Sequence, residues 1–165
     1  NSGRVSVGSS ERIFEGGGGK MKLFLKKLYK TMYLWAIGGL LYCLFELIFR
    51  GHTHWTMFAV GGFCFVMCGL LNEHIGWDMP LPLQMLIGCL VITGTELIAG
   101  VVLNIWLGLN IWDYSNMPLN LWGQICLPFS FLWFFLSAVA IALDDELRYN
   151  MFGEEKPHYY FWRKK

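Results

Sequence analysis

Five residues set in or beside long apolar runs could do chemistry: Glu46, Arg50, Glu96, Asn104 and Asp113. A charged side chain at the centre of a membrane span costs on the order of 2.5–3.5 kcal/mol on insertion scales, so an acid kept there is a candidate for holding a substrate, an ion or a proton. Glu46 and Arg50 lie four residues apart, the spacing of an ion pair on one helical face. Thr93, Glu96, Gly100 and Asn104 form a polar and small stripe at helical spacing, directed into a bundle. The competing reading of both groups is structural. In it Glu46 pairs with Arg50, and Glu96 is satisfied by Thr93, Asn104 or Trp and Tyr donors, so that the acids pin helices together. His52 and His54, with Glu46 or Asp113, are the candidates for a divalent metal, although two histidines at i, i+2 in a turn are commonly solvated. Nucleophilic catalysis has no constellation. Cys43, Cys64, Cys68, Cys89 and Cys126 all fall in apolar runs, and no Ser or Cys is matched to a His, so neither an enzyme nor a cofactor is expected.

The elements that must position these residues follow from composition. The 165 residues are 55% hydrophobic, 17% aromatic and only 15% charged, too apolar for a soluble domain. The fold class expected is all-α: a polytopic membrane protein with spans at about 31–49, 55–71, 81–109 and 121–143, each long enough to cross a hydrocarbon core. An N-terminal amphipathic interfacial helix precedes them, with Met21, Phe24, Leu25 and Leu28 on one face and Lys22, Lys26, Lys27 and Lys30 on the other. Residues 1–20 read as a flexible tail, or as an addition before a native start at Met21. Residues 21–149 form the membrane domain, and 150–165 a cytoplasmic aromatic and basic tail lying back on the membrane. Gly16–Lys20 fails as a phosphate loop, because Phe14 stands where the first glycine belongs and Met21 follows the lysine.

Of the 13 Lys and Arg residues, seven precede the first span, five follow the last, and Arg50 alone lies between. The positive-inside bias then puts both termini in the cytoplasm of a cell-membrane protein, with the 51–54 turn and the 110–120 loop outside. Glu46 and Glu96 sit about fifteen residues in from the inner ends of their spans, hence at similar depth on the 1.5 Å rise per residue. With Arg50, His52, His54, Asn104 and Asp113 they outline an outward-facing polar vestibule. Asp113 is expected to accept hydrogen bonds from the Ser115–Asn116 turn, or to meet Arg50, and so hold the loop as a lid. Trp112 and Tyr114 read as members of the outer aromatic belt. Gly61, Gly62 and Gly69 permit close helix contact. The last helix should continue past Asp144, Asp145 and Glu146 through Arg148, since a helix C-terminus disfavours acids. Gly39–Ile48 and Cys89–Ile98 share Glu-Leu-Ile at an offset of 50 residues, and each half ends in an acidic group, Asn72-Glu73 and Asp144-Asp145. Both duplication and chance account for that likeness.

The run Trp112-Asp113-Tyr114-Ser115, then Pro118, Asn120, Gly123, Ile125-Cys126-Leu127 and Phe129-Ser130, resembles the signature of bacterial membrane proteins classed as ABC-transporter permeases of type IV, or CmpB-type. The resemblance covers most of residues 33–146. It implies transport and no catalytic residues, and because the chain has no Walker A, Walker B or signature motif, an ATP-driven role would need a separate ATPase subunit. The function expected is a permease-like or accessory transport subunit, homo-oligomeric or joined to that ATPase, with the lipid bilayer as partner and no nucleic acid. The alternative is a scaffold that recruits cytoplasmic or membrane partners through its basic inner face and Asp144, Asp145 and Glu146.

Overall fold

The computed structural model describes the backbone of residues 10–75 and 79–162, with side chains over 18–74 and 79–162. Four α-helices follow in order: α1 (Ser10–Arg50), α2 (Trp55–Ile75), α3 (Leu81–Gly100) and α4 (Leu127–Phe152), with a π-helical turn, Val101–Trp106, continuing α3. Four stretches, Gly18–Arg50, Trp55–His74, Leu81–Trp106 and Leu127–Phe152, are long and apolar enough to cross a membrane. The protein is therefore an all-α polytopic membrane protein, as its composition implies.

The chain divides into two compact units, one ending at Tyr33 and one starting at Leu34. In the first, α1 exposes Met21, Leu23, Phe24, Leu25 and Leu28 together with the lysines between them. The expected interfacial helix is part of α1, not a separate element. Helix also covers 10–20, half of the expected tail, because propagation adds a hydrogen bond per residue once a turn exists. Residues 1–9 lie outside the described residues.

In the second unit the rest of α1 meets α2 through paired glycines. A Cβ on Gly38 would stand 2.2 Å from the Phe65 side chain, and one on Gly62 would stand 2.4 Å from the Trp35 carbonyl oxygen. With no hydrophobic drive between helices in lipid, such close approach is what holds a bundle together. Gly88 of α3 takes Ser137 of α4 in the same way. Leu90, Ile98, Phe131 and Val139 remain exposed, the outward face expected of a bundle in lipid.

Three boundaries differ from the sequence reading. The fourth span starts at Leu127, not near 121, because Pro128 has no N–H to donate and its ring clashes with a preceding helical turn, which restricts it to a helix start. Residues 121–125 instead form a bridged turn with Trp122 at φ 53° and Gly123 at φ 68°. The third span leaves regular α-helix at Gly100 and stops at Trp106, short of 109; Gly108 then turns the chain at φ 64°. At the other end α2 runs on to Ile75, which puts Asn72 in a helix and not in a loop. Helix α4 does continue through Arg148, ending where Gly153 adopts the left-handed conformation at φ 69°.

Candidate functional site

At the loop end of the bundle, Glu46 is 2% exposed and accepts from Arg50 Nη1 at 2.7 Å and from the Thr53 hydroxyl at 2.6 Å. The i, i+4 spacing on α1 delivers that pair, and Thr53 joins it because Gly51 turns the chain back at φ 72°. The second guanidinium nitrogen, Nη2, donates to the Ile111 carbonyl at 2.7 Å, so Arg50 also grips the long loop. Asn104 holds the same stretch from the π-helical turn. Its Oδ1 accepts from the Ile111 amide at 2.7 Å, and its Nδ2 donates to the Trp112 carbonyl at 3.0 Å and to Gln124 Oε1 at 2.8 Å.

Glu96 of α3, 7% exposed, receives the Tyr114 hydroxyl on Oε1 at 3.1 Å and Trp133 Nε1 of α4 on Oε2 at 2.9 Å. Burial, and then the neighbouring Glu96 carboxylate, push the Tyr114 hydroxyl well above its ordinary pKa, so it stays a proton donor. Tyr114 stacks on Phe129 at 4.6 Å. Trp112 is 5% exposed and donates from Nε1 to the Gln124 carbonyl at 3.0 Å. The belt position expected of these aromatics is thereby corrected. A buried indole finds its acceptor inside the loop, and Tyr114 finds its own in the bundle.

Asp113 takes one of the expected roles. Its Oδ1 accepts from the Ser115 hydroxyl at 2.5 Å and the Ser115 amide at 2.8 Å, which lowers its pKa although it is exposed. Gly123 passes against this turn, where a Cβ would stand 2.6 Å from Asp113 Oδ1, and its φ of 68° suits glycine. Arg50 does not reach Asp113 but the Ile111 backbone two residues earlier. His52 Nδ1 donates to the Arg50 carbonyl at 3.0 Å, and the Thr56 hydroxyl donates to His54 Nδ1 at 2.8 Å. Among the described residues no group of three His, Cys, Asp or Glu side chains is placed to hold a metal ion.

The structure thus brings Glu46, Arg50 and Asn104 together through Ile111, ties Glu96 to them through Tyr114, and leaves Asp113 apart on the outer face of the loop. Beneath the loop lies a cavity of about 240 Å³ bordered by Tyr42, Phe45, Met57, Ile92, Glu96 and Trp112. Its walls are apolar apart from Glu96, the Tyr42 hydroxyl and the Cys64 thiol.

The opposite end carries a polar cluster that sequence reasoning missed. Arg148 of α4, 3% exposed, pairs through Nε with Asp144 and through Nη1 with Glu73 of α2, and Nη1 stands 3.8 Å from Glu154. Asn72 Nδ2 donates to Asp145 Oδ2 at 2.5 Å, and the Tyr159 hydroxyl donates to the same oxygen at 2.8 Å. Burial, and then Asp145, push that hydroxyl above its ordinary pKa. The two acidic groups noted at the ends of the half-repeats therefore meet. Asp144 and Asp145 are turned inward, at 0% and 4% exposure, and are not on offer to a partner as a recruiting scaffold requires.

Four long apolar helices around a buried acid, capped by an ordered loop, define a polytopic membrane protein. The model of the family described as "Putative ABC-transporter type IV" matches residues 35–160, and the chain belongs to that family. No curated protein and no solved structure matches it.

Proposed function

We propose that this protein is a permease-like subunit of a cell-membrane transporter, with both termini cytoplasmic, working with a separate ATPase subunit. The observation that carries the reading is the intramembrane cavity under a loop tied down by Arg50, Asn104 and Glu96. A concave apolar pocket with a few convergent polar groups is the common form of a ligand site, and a loop closing it suits gated access. ATP must be hydrolysed elsewhere, since the chain carries no Walker motif. Purification of the native assembly in mild detergent tests the reading: an ATPase subunit is expected to co-purify in fixed ratio. Recovery of the chain alone, from membranes in which the co-expressed ATPase is abundant, would overturn it.

The orientation has its own test. In a cysteine-free background, single cysteines at Thr53 and Asn116 are expected to react with an impermeant maleimide on intact cells. One at Lys156 is expected to react only after permeabilisation. The reverse pattern would invert the topology drawn from the basic residues.

A further inference from the structure

Two acids are buried at the loop end of the bundle, and only one has a counter-ion. Glu46 is neutralised by Arg50 at 2.7 Å. Glu96 is held by two neutral donors, Tyr114 and Trp133, and no Lys, Arg or His among the described residues pairs with it. A carboxylate offers about four acceptor directions, so two donors leave roughly half of its capacity unused. An isolated charge in an apolar medium is costly unless it is paired. Glu96 also borders the cavity, whose remaining lining is hydrocarbon and aromatic rings apart from the Tyr42 hydroxyl and the Cys64 thiol. Tyr42, on the same lining, makes no hydrogen bond among the described residues, and its ring lies 6.2 Å from that of Trp133.

We propose that this cavity binds a small organic cation, an ammonium group on an apolar body, with Glu96 as its counter-ion and Tyr42 and Trp112 as its aromatic wall. The carboxylate selects the charge, the ring faces favour the same sign, and the apolar lining accommodates the body. An anion would face an uncompensated carboxylate, and a neutral occupant would leave that carboxylate unpaired. At about 240 Å³ the space lies below the range of drug-sized sites, which begins near 300 Å³, so the occupant is small. That the cation is cargo rests on the permease reading above. The site itself is tested on the isolated chain without any ATPase, so the two ideas fail separately.

The test is saturation binding of radiolabelled benzyltrimethylammonium to the full chain in zwitterionic nanodiscs, corrected against empty nanodiscs. Saturable binding near one cation per chain is expected. It should weaken at least tenfold in Glu96→Gln, which keeps shape and removes charge, and several-fold in Tyr42→Leu, which removes the ring face, with both variants shown folded by thermal unfolding. On the wild-type chain, unlabelled benzyltrimethylammonium should displace the label, while benzenesulfonate and benzyl alcohol at equal concentration should not. Three results would each overturn the proposal: no saturable binding above empty nanodiscs, undiminished binding by folded Glu96→Gln, or equal displacement by the anionic or neutral competitor. The competition arm needs no variant and decides the matter even where Glu96→Gln does not fold.

Discussion

Replacing Arg148 with methionine is expected to destabilise the membrane domain by roughly 3–5 kcal/mol, the usual cost of breaking a buried ion pair by removing one partner. Arg148 is the base that faces Asp144 and Glu73, and it lies close to Glu154. Without it Asp144, fully buried, must either hold an uncompensated charge or take up a proton, and both cost stability. For a chain of this size the loss corresponds to a fall in midpoint of thermal unfolding on the order of 6–20 °C in detergent. The mechanism makes a second demand. Asparagine at position 144 removes the charge at nearly constant shape, which matters because a Cβ on neighbouring Gly69 would already stand 1.8 Å from Asp144 Oδ2. The double variant Arg148→Met with Asp144→Asn should therefore recover much of the loss. A single variant costing less than about 1 kcal/mol, or a double variant no better than the single, would show that charge compensation does not hold this end together.

The second large effect is expected at Asn104. One buried side chain, 8% exposed, serves the Ile111 amide, the Trp112 carbonyl and the Gln124 side chain. Asn104→Leu leaves these groups without their partner, and each unsatisfied buried polar group costs about 1–3 kcal/mol. Even with partial relaxation, a loss of roughly 2–4 kcal/mol follows, and it falls on the loop more than on the helices. Cys126, 2% exposed at the loop's return, is a native reporter. In a background lacking the other four cysteines, its reaction with a thiol reagent should accelerate at least about tenfold in Asn104→Leu, as expected when local opening becomes easier. An unchanged rate would mean that Arg50 and Glu96 hold the loop without Asn104.

Much of this was legible in the sequence for simple reasons. Apolar runs of span length report helices in lipid with little ambiguity, and i, i+4 spacing reports Glu46 with Arg50 because both groups ride on one rigid helix. The turn at Asp113 was legible because the bond it makes is local. Span ends were harder to place: Leu121, Trp122 and Ile125 are as apolar as a helix, while what excludes them is the proline at 128 and the backbone at Gly123. The partners of Glu96 come from residues 18 and 37 positions away, and their identity as Trp and Tyr could be expected only as a class. The cluster at Arg148 carried one overlooked local signal, the same four-residue spacing to Asp144 that marked Glu46. Its other half, Glu73 and Asn72, lies more than 70 residues away, and only packing reveals it.

The Leu81 amide at the start of α3 donates to the Tyr160 carbonyl at 2.7 Å, and Tyr159 closes over Asp145. Synthesis runs from the N-terminus, so α3 is made well before residues 159 and 160. Its first turn and the Asp145 side chain therefore wait for partners made later, and this end of the bundle can mature only after translation of the segment that follows α4. To a quality-control protease, a chain clipped near Phe152 differs from a mature one at this end, where a backbone donor and a buried carboxylate have each lost a partner.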